Sequence, residues 1–291
     1  MPTTLTLPGK TALVTGAAGG IGAAVATALA ARGTNIVLAD LGGTGLDRTA
    51  SSLPAGQVLA IPADVTDAAA MHDVVSAAVA RFGRLDIVFA NAGIAADPPS
   101  TARTMPPSVF ERVVEVDLLG VWRTVQPALE HVIASRGHIL LTGSAYAFVN
   151  GMVNAPYAAS KAAVEQLGRA LRAELAPHGA SAGVLYPGWV ATPIADSAFG
   201  GDPLITAFKD HAYKGPLRKA ITPERVAAAV VPGIERRAPR IIVPRRWLPL
   251  SMLRGIVNPL VDRALERDQT LHRLVHQLEA QRTTQSRTRA L

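Results

Sequence analysis

The sequence predicts an α/β protein: a doubly wound parallel sheet of about seven strands with helices on both faces, and a helical C-terminal extension. Three observations carry this. Short apolar runs alternate with helix-forming stretches up to Val243. The first apolar run, Thr11 to Thr15, enters a glycine-rich turn that opens an alanine-rich helix. Finally, Asp40, Asn91, Ser144 and Pro187 all stand where an apolar run ends, and open parallel sheets bind their ligands beyond the carboxyl ends of their strands.

Taken in order, the first helix runs from about Ala23 to Arg32 and a second strand spans Asn35–Asp40. A short helical or irregular stretch leads to a third strand, Val58 to Val65. Asp64 is placed to cap the next helix, Ala68 to Phe82. Leu85 to Ala90 forms the fourth strand and Val109 to Ile133 one long helix. Gly137 to Thr142 is the fifth strand. Asn154 then caps a helix in which Pro156 fits the first turn and Val164, Leu167, Leu171 and Leu175 keep helical spacing. Ala182 to Pro187 and Arg240 to Val243 complete the sheet, so residues 1–244 read as one domain.

The chemistry centres on Tyr157 and Lys161. Four residues apart on a helix, they share a face. A free phenol titrates near ~10, and a neighbouring ammonium favours the phenolate, which makes the tyrosine a usable general acid/base. At the other end, the glycines from Gly16 to Gly22 let the backbone approach a pyrophosphate at a helix N-terminus. Asp40, about twenty residues on, stands where a carboxylate would bond the adenosine ribose hydroxyls. That carboxylate would repel a 2′-phosphate, and no Arg or Lys lies between Gly16 and Gly22 to attract one, so the expected cofactor is NAD.

The motifs Thr15-Gly16-Ala17-Ala18-Gly19-Gly20-Ile21-Gly22, Asn91-Ala92-Gly93-Ile94, Ser144, Tyr157 with Lys161, and Pro187-Gly188 followed by Thr192 resemble those of the short-chain dehydrogenase/reductase family. Ser144 precedes Tyr157 by the family's interval, and the likeness runs from about Leu5 to about Val243. The resemblance implies a Rossmann-type sheet and hydride transfer between NAD and an alcohol or ketone. It implies that Tyr157 is the general acid/base, that Ser144 orients the substrate oxygen, and that Lys161 also holds the nicotinamide ribose. It places Gly16, Ala18, Gly20, Ile21, Asp40, Leu41, Asp64, Val65, Asn91, Ala92, Gly93, Pro187, Gly188, Val190 and Thr192 against the cofactor. Asp64 would bind the adenine amino group and Thr192 the carboxamide. Asn91 would also tie the central strands together.

One position departs from the pattern. Where the family has an asparagine in the long helix, this chain has Asp117. In the family that amide supports a helix distortion and a proton relay. Aspartate keeps the acceptors and loses the donor, unless burial protonates it. The departure is also what favours the alternative reading, a dinucleotide-binding or scaffold protein with vestigial turnover. The substrate pocket is expected from Tyr146, Val149, Met152, Val153 and Trp189, with residues 195–220 (Phe199, Phe208 and Tyr213 among them) folding over it. Such a lining suits a bulky apolar alcohol or ketone, steroid-, terpenoid- or lipid-like.

The composition narrows the partners. Without cysteine there is no disulfide and no thiolate metal site, and no metal is expected. Met1 to Pro8 lacks the basic start and apolar stretch of a signal peptide, and no run of eighteen apolar residues occurs, so a cytoplasmic enzyme is expected. Residues 1–235 carry 17 Lys/Arg and 18 Asp/Glu, while residues 236–291 carry 12 and 4, so the excess positive charge belongs to the end of the chain. Within the extension, residues 245–291, Asn258-Pro259 reads as the start of a helix carrying Val261, Leu265, Leu271, Leu274 and Leu278. This helix either packs on its own body or a partner subunit, in a homodimer or homotetramer, or lies on an anionic membrane surface. Asp262, Glu266, Asp268 and Glu279 on its polar face favour packing. No nucleic-acid recognition motif is present.

Overall fold

The computed structural model describes residues 4–192, 194–195, 202–213 and 215–289, with side chains to residue 285. Seven parallel strands form one sheet in the order β3-β2-β1-β4-β5-β6-β7. They are β1 Thr11–Thr15, β2 Asn35–Asp40, β3 Val58–Pro62, β4 Ile87–Ala90, β5 His138–Thr142, β6 Ser181–Pro187 and β7 Arg240–Val243. The strand order reverses between β1 and β4, the place where the two halves of a doubly wound sheet splay and leave a crevice.

The near-continuous burial of β1, β4, β5 and β6 follows from helices on both faces. On one face, α1 (Gly20–Ala30) and α9 (Pro223–Glu235) bring Val25, Leu29, Val226, Val230 and Ile234 together. On the other, α3 (Ala68–Phe82) and α7 (Ala155–Leu175) bring Met71, Val74, Val164, Leu171 and Leu175. A fully buried aliphatic side chain of this size contributes about 1.5–3 kcal/mol. Between β2 and β3 lies α2 (Thr44–Ser51).

Three expectations are corrected. Asp67, not Asp64, caps α3, accepting from Ala69 N and Ala70 N. Asp64 closes a turn two residues earlier, its Oδ1 accepting from the Thr66 N–H and hydroxyl at 2.8 Å each. The long helix expected over Val109 to Ile133 is segmented into α4 (Pro107–Val114), a π-helical turn over Glu115–Leu119, α5 (Gly120–Val125), and, after a tight turn at Gln126–Ala128, α6 (Leu129–Ala134). In the extension, no helix starts at Asn258-Pro259: α10 runs unbroken over Leu248–Leu265 with Pro259 inside it. The start signal belongs to Pro249 in the first turn, and the missing proline N–H removes one helical hydrogen bond.

After α8 (Pro203–Ala212) and α9, the chain ends in α10 and α11 (Gln269–Arg289). Helix α10 is pinned to α7 by Arg254, whose guanidinium donates to both oxygens of the buried Glu165 at 2.8 and 2.7 Å. Its other face is open, with Met252, Leu253, Ile256, Leu260 and Val261 exposed. Leu271 and Leu278 of α11 are buried. Among the described residues no helix is long and apolar enough to cross a membrane.

Candidate active site

A cleft of about 420 Å³ opens along the carboxyl ends of the strands. Its far end is built by the turn after β1. A Cβ on Gly22 would stand 2.1 Å from Gly16 O, and Gly16 and Gly20 have φ of +67° and +54°, so the tight turn requires glycine at these positions. The N-terminus of α1 has no side-chain cap and no acid in its first turn, and Gly19, Gly20 and Ile21 line the cleft. That leaves backbone donors and dipole for an anionic group. Asp40 ends β2 with Oδ2 accepting from Ala18 N at 2.8 Å and Oδ1 accepting from Leu41 N at 2.8 Å, which fixes the carboxylate over the glycine turn. Asn91 joins three strands: Nδ2 donates to Thr15 O at 3.1 Å and Oδ1 accepts from Thr142 Oγ1 at 3.2 Å. Each of the expected cofactor residues, from Gly16 to Thr192, lines this cleft. Thr192 lies against Gly20, and Val190 is held by a bridge to Ile221. These residues fit a dinucleotide.

The near end holds Ser144, Tyr157 and Lys161, all delivered by the carboxyl end of β5 and the first two turns of α7. Lys161 Nζ lies 5.3 Å from the Tyr157 ring centre, and the Ser144 hydroxyl faces the Tyr157 phenol and lowers it. Ser144 also accepts from Tyr146 N at 3.1 Å, so it closes a local turn as well as facing the site. Asp117 comes from the π-helical turn, and the distortion is therefore present with aspartate in place. It is fully buried: Oδ1 accepts from Ile94 N at 2.7 Å and Oδ2 lies 3.0 Å from Lys161 Nζ, a charge contact without the alignment of a hydrogen bond. A Cβ on Gly93 would stand 3.2 Å from this carboxylate and 3.3 Å from Lys161 Nζ.

The electrostatics follow from that contact. Burial pushes the Asp117 carboxyl up, with Lys161 and the Ile94 N–H pulling it back. Burial pulls the Lys161 ammonium down, but Asp117 and Tyr157 hold it above the ordinary lysine value. For Tyr157 burial is the largest influence and raises the phenol; Lys161 lowers it, Asp117 raises it again and the Ser144 hydrogen bond lowers it. The expected depression by Lys161 is thus outweighed, first by burial and then by the Asp117 carboxylate.

The substrate side departs further from expectation. Of the five residues expected to line it, Tyr146 and Trp189 do so, whereas Val149, Met152 and Val153 do not. Val153 and Met152 turn instead into an apolar cluster with Leu271 and Leu278 of α11. Phe199 lies outside the described residues. Tyr213 and Trp247 join the wall, so three of the four tyrosines and two of the three tryptophans face one cleft. Their rings meet edge-on in sequence, Tyr157–Tyr146 at 5.8 Å, Tyr146–Trp189 at 6.0 Å, Trp189–Tyr213 at 5.3 Å and Tyr213–Trp247 at 5.9 Å. Burial pushes the Tyr146 phenol well above its ordinary value and the Tyr213 phenol up to about 12. Trp247 gave no sequence signal for this place; its indole fills the space beside Gly188, where a Cβ would come within 2.1 Å of Nε1. Arg112 was also missed: it stands in the cofactor end, 3.6 Å from Asp64. Asn154 holds the N-cap position of α7 but makes no capping bond. Its amide lines the cleft, with Oδ1 buried and unpaired among the described residues.

Fold and site together define a doubly wound nucleotide-binding oxidoreductase with a Tyr–Lys pair at the carboxyl edge of its sheet. The chain belongs to the short chain dehydrogenase family, which matches residues 10–201. It is 37% identical over 202 residues to (-)-trans-carveol dehydrogenase of Rhodococcus erythropolis, covering 64% of this chain and 73% of that one. To cis-4-hydroxycyclohexanecarboxylate dehydrogenase of Sinomonas cyclohexanicum it is 35% identical over 224 residues, 76% of this chain and 87% of that one. Among solved structures, a short chain dehydrogenase/reductase from Burkholderia phymatum in complex with NAD superposes with a TM-score of 0.76 at 26% identity, over 91% of this chain and 97% of that one.

Proposed function

We propose that the protein is an NAD-dependent dehydrogenase of bulky, hydrophobic secondary alcohols, or the corresponding ketone reductase, with Tyr157 as the general acid/base. The observation that carries this reading is one cleft with a Ser144–Tyr157–Lys161 corner under an aromatic wall at one end and an Asp40-guarded glycine turn at the other. Asp40, Leu41, Asp64 and Val65 would hold the adenosine half, Gly16 to Ile21 the pyrophosphate, and Asn91 to Gly93, Lys161 and Pro187 to Thr192 the nicotinamide half. When bound, the cofactor supplies the hydride acceptor or donor. Tyr157 takes the hydroxyl proton in oxidation and returns it in reduction. Ser144 donates to the substrate oxygen as charge gathers there. Lys161 stabilises the phenolate, and Asp117 holds Lys161 in place while opposing its effect on Tyr157.

The carboxylate at Asp40 favours NAD over NADP, and the NAD found in the Burkholderia phymatum structure supports that choice. The two named relatives, by their names dehydrogenases of carveol and of a hydroxycyclohexanecarboxylate, support ring alcohols as the substrate class. Exposed Phe110, Leu119 and Trp122 on the helices after β4 support a homo-oligomer.

The test is a panel of apolar alcohols with NAD, carveol, cyclohexanol and a sterol among them, followed by NADH absorbance for wild type and Tyr157→Phe. NADH production that depends on Tyr157 supports the enzyme. Silence across the panel favours the alternative, a dinucleotide-binding protein with vestigial turnover.

A further inference from the structure

Helices α8 and α11 cap one another. Asp202 is the N-cap of α8, its Oδ1 accepting from Leu204 N at 2.9 Å. Its other oxygen receives Arg282 Nη2 at 2.8 Å and Gln281 Nε2 at 3.2 Å from the far end of α11. Asp268 precedes α11 and accepts from Leu271 N at 3.0 Å through Oδ1, while its Oδ2 meets His211 Nε2 in the last turn of α8. Each aspartate therefore starts one helix and grips the other, which fixes the pair antiparallel and tied at both ends. Between the ties Leu271 and Leu278 are buried against Ile205 and Phe208.

The Arg282 side chain is only 7% exposed. Besides Asp202 it donates from Nε to Pro99 O at 3.1 Å and from Nη1 to Gln285 at 3.1 Å. Glu279, one turn earlier, accepts from Thr101 Oγ1 at 2.9 Å and Arg103 Nη1 at 2.8 Å. A buried arginine with every contact satisfied is expensive to displace, because removing one partner strands the other charge. The held helix leads to the site: Trp189, Tyr146 and Met152 pack on the same apolar cluster, and α8 ends at Tyr213, which stands edge-on to Trp189.

We propose that residues 268–282 form a clasp that fixes α8, and through it Tyr213, which lines the substrate end of the cleft. Asp268 and Arg282 are then positioning residues for substrate selectivity. No clasp residue itself lines the cleft; the clasp acts on the alcohol through Tyr146 and Trp189, which pack on its apolar cluster, and through Tyr213 at the end of α8, and not through the cofactor turns. The substrate part of the proposal rests on the alcohol-dehydrogenase reading above; the mechanical part does not.

The experiment uses the full-length chain as wild type, Arg282→Ala, Arg282→Lys and His211→Ala, so that each end of the clasp is broken independently. Hydrogen exchange of the 203–212 segment, NADH affinity by fluorescence titration, and KM and kcat for carveol are measured on each. Both alanine variants should exchange about tenfold faster in 203–212, the effect of losing one charge-assisted hydrogen bond, with 155–175 unchanged. NADH affinity should stay within about twofold while the KM for carveol rises about tenfold at nearly constant kcat, and Arg282→Lys should fall in between. Unchanged exchange in both alanine variants, or NADH affinity lost in step with KM, would overturn the clasp. If wild type does not turn over carveol, the substrate reading fails, while exchange and NADH affinity still decide whether the clasp exists.

Discussion

The two ends of the cleft are built in different ways. The cofactor end is made of short consecutive segments at strand ends, Gly16 to Ile21, Asp40-Leu41, Asp64-Val65 and Asn91 to Gly93, held by backbone geometry and by the core. The substrate end draws Tyr146, Trp189, Tyr213 and Trp247 from separate parts of the chain and leans on α11, which lies past the last strand. The first kind of site is fixed once the sheet forms. The second also packs on the end of the chain, through Trp247 and the cluster around Leu271 and Leu278. Asp117 and Lys161 stand at the seam.

Removing the extension should produce the largest difference between the ends. A chain ending at Pro244 loses Trp247, Leu271 and Leu278 from buried positions, each worth about 1.5–3 kcal/mol. We expect a marked fall in thermal stability, a change of oligomeric size or aggregation, read by melting curves and size-exclusion chromatography. A stable, active truncated form of unchanged size would show that the extension is dispensable, and salt-sensitive binding of the full chain to anionic vesicles would then make it a membrane element.

At the cofactor end, Asp40→Ala removes the carboxylate that Ala18 N and Leu41 N hold in place. A charge-assisted hydrogen bond is worth ~1.5–3 kcal/mol, so the NAD over NADP preference should fall by roughly tenfold or more, with the KM for the alcohol unchanged. Equal use of NADP by the wild type would mean that Asp40 does not select the cofactor.

The same contrast explains what the sequence made legible. Strands β2 and β7, helix α3, the glycine turn and Asp40 were readable because each depends on local pattern: alternating elements, turn glycines, a residue at a strand end; Arg112, which reaches the same end from α4, was not. The substrate wall was not, since nothing near Trp247 indicates that its indole will lie on Gly188, nor near Met152 that it will turn toward Leu271. Asn258-Pro259 misled for a related reason. A start signal is local, whereas the anchoring of α10 through Arg254 to Glu165 is 89 residues distant in sequence. Asp268, which interrupts the apolar rhythm, proves to be the cap that starts α11.

A smaller effect is expected at the seam. Asp117→Asn removes a negative charge that holds the Tyr157 phenol up, so the phenol pKa should fall. Alcohol oxidation needs the deprotonated phenol, and the rising limb of its pH–rate profile should therefore move to lower pH, with activity near neutrality equal or higher. A shift to higher pH, or loss of activity, would mean that the carboxyl group itself takes part in the proton path.

The most direct measurement pairs two titrations on full-length wild type and Tyr157→Phe: NADH binding by fluorescence, and oxidation of carveol with NAD followed by absorbance. Loss of a positioned general acid/base costs about 10²–10⁴-fold in rate. Our account predicts that both proteins bind NADH within about twofold of each other and that only the wild type turns over at a substantial rate. Equal turnover, or a loss of NADH binding that tracks the loss of rate, would contradict it.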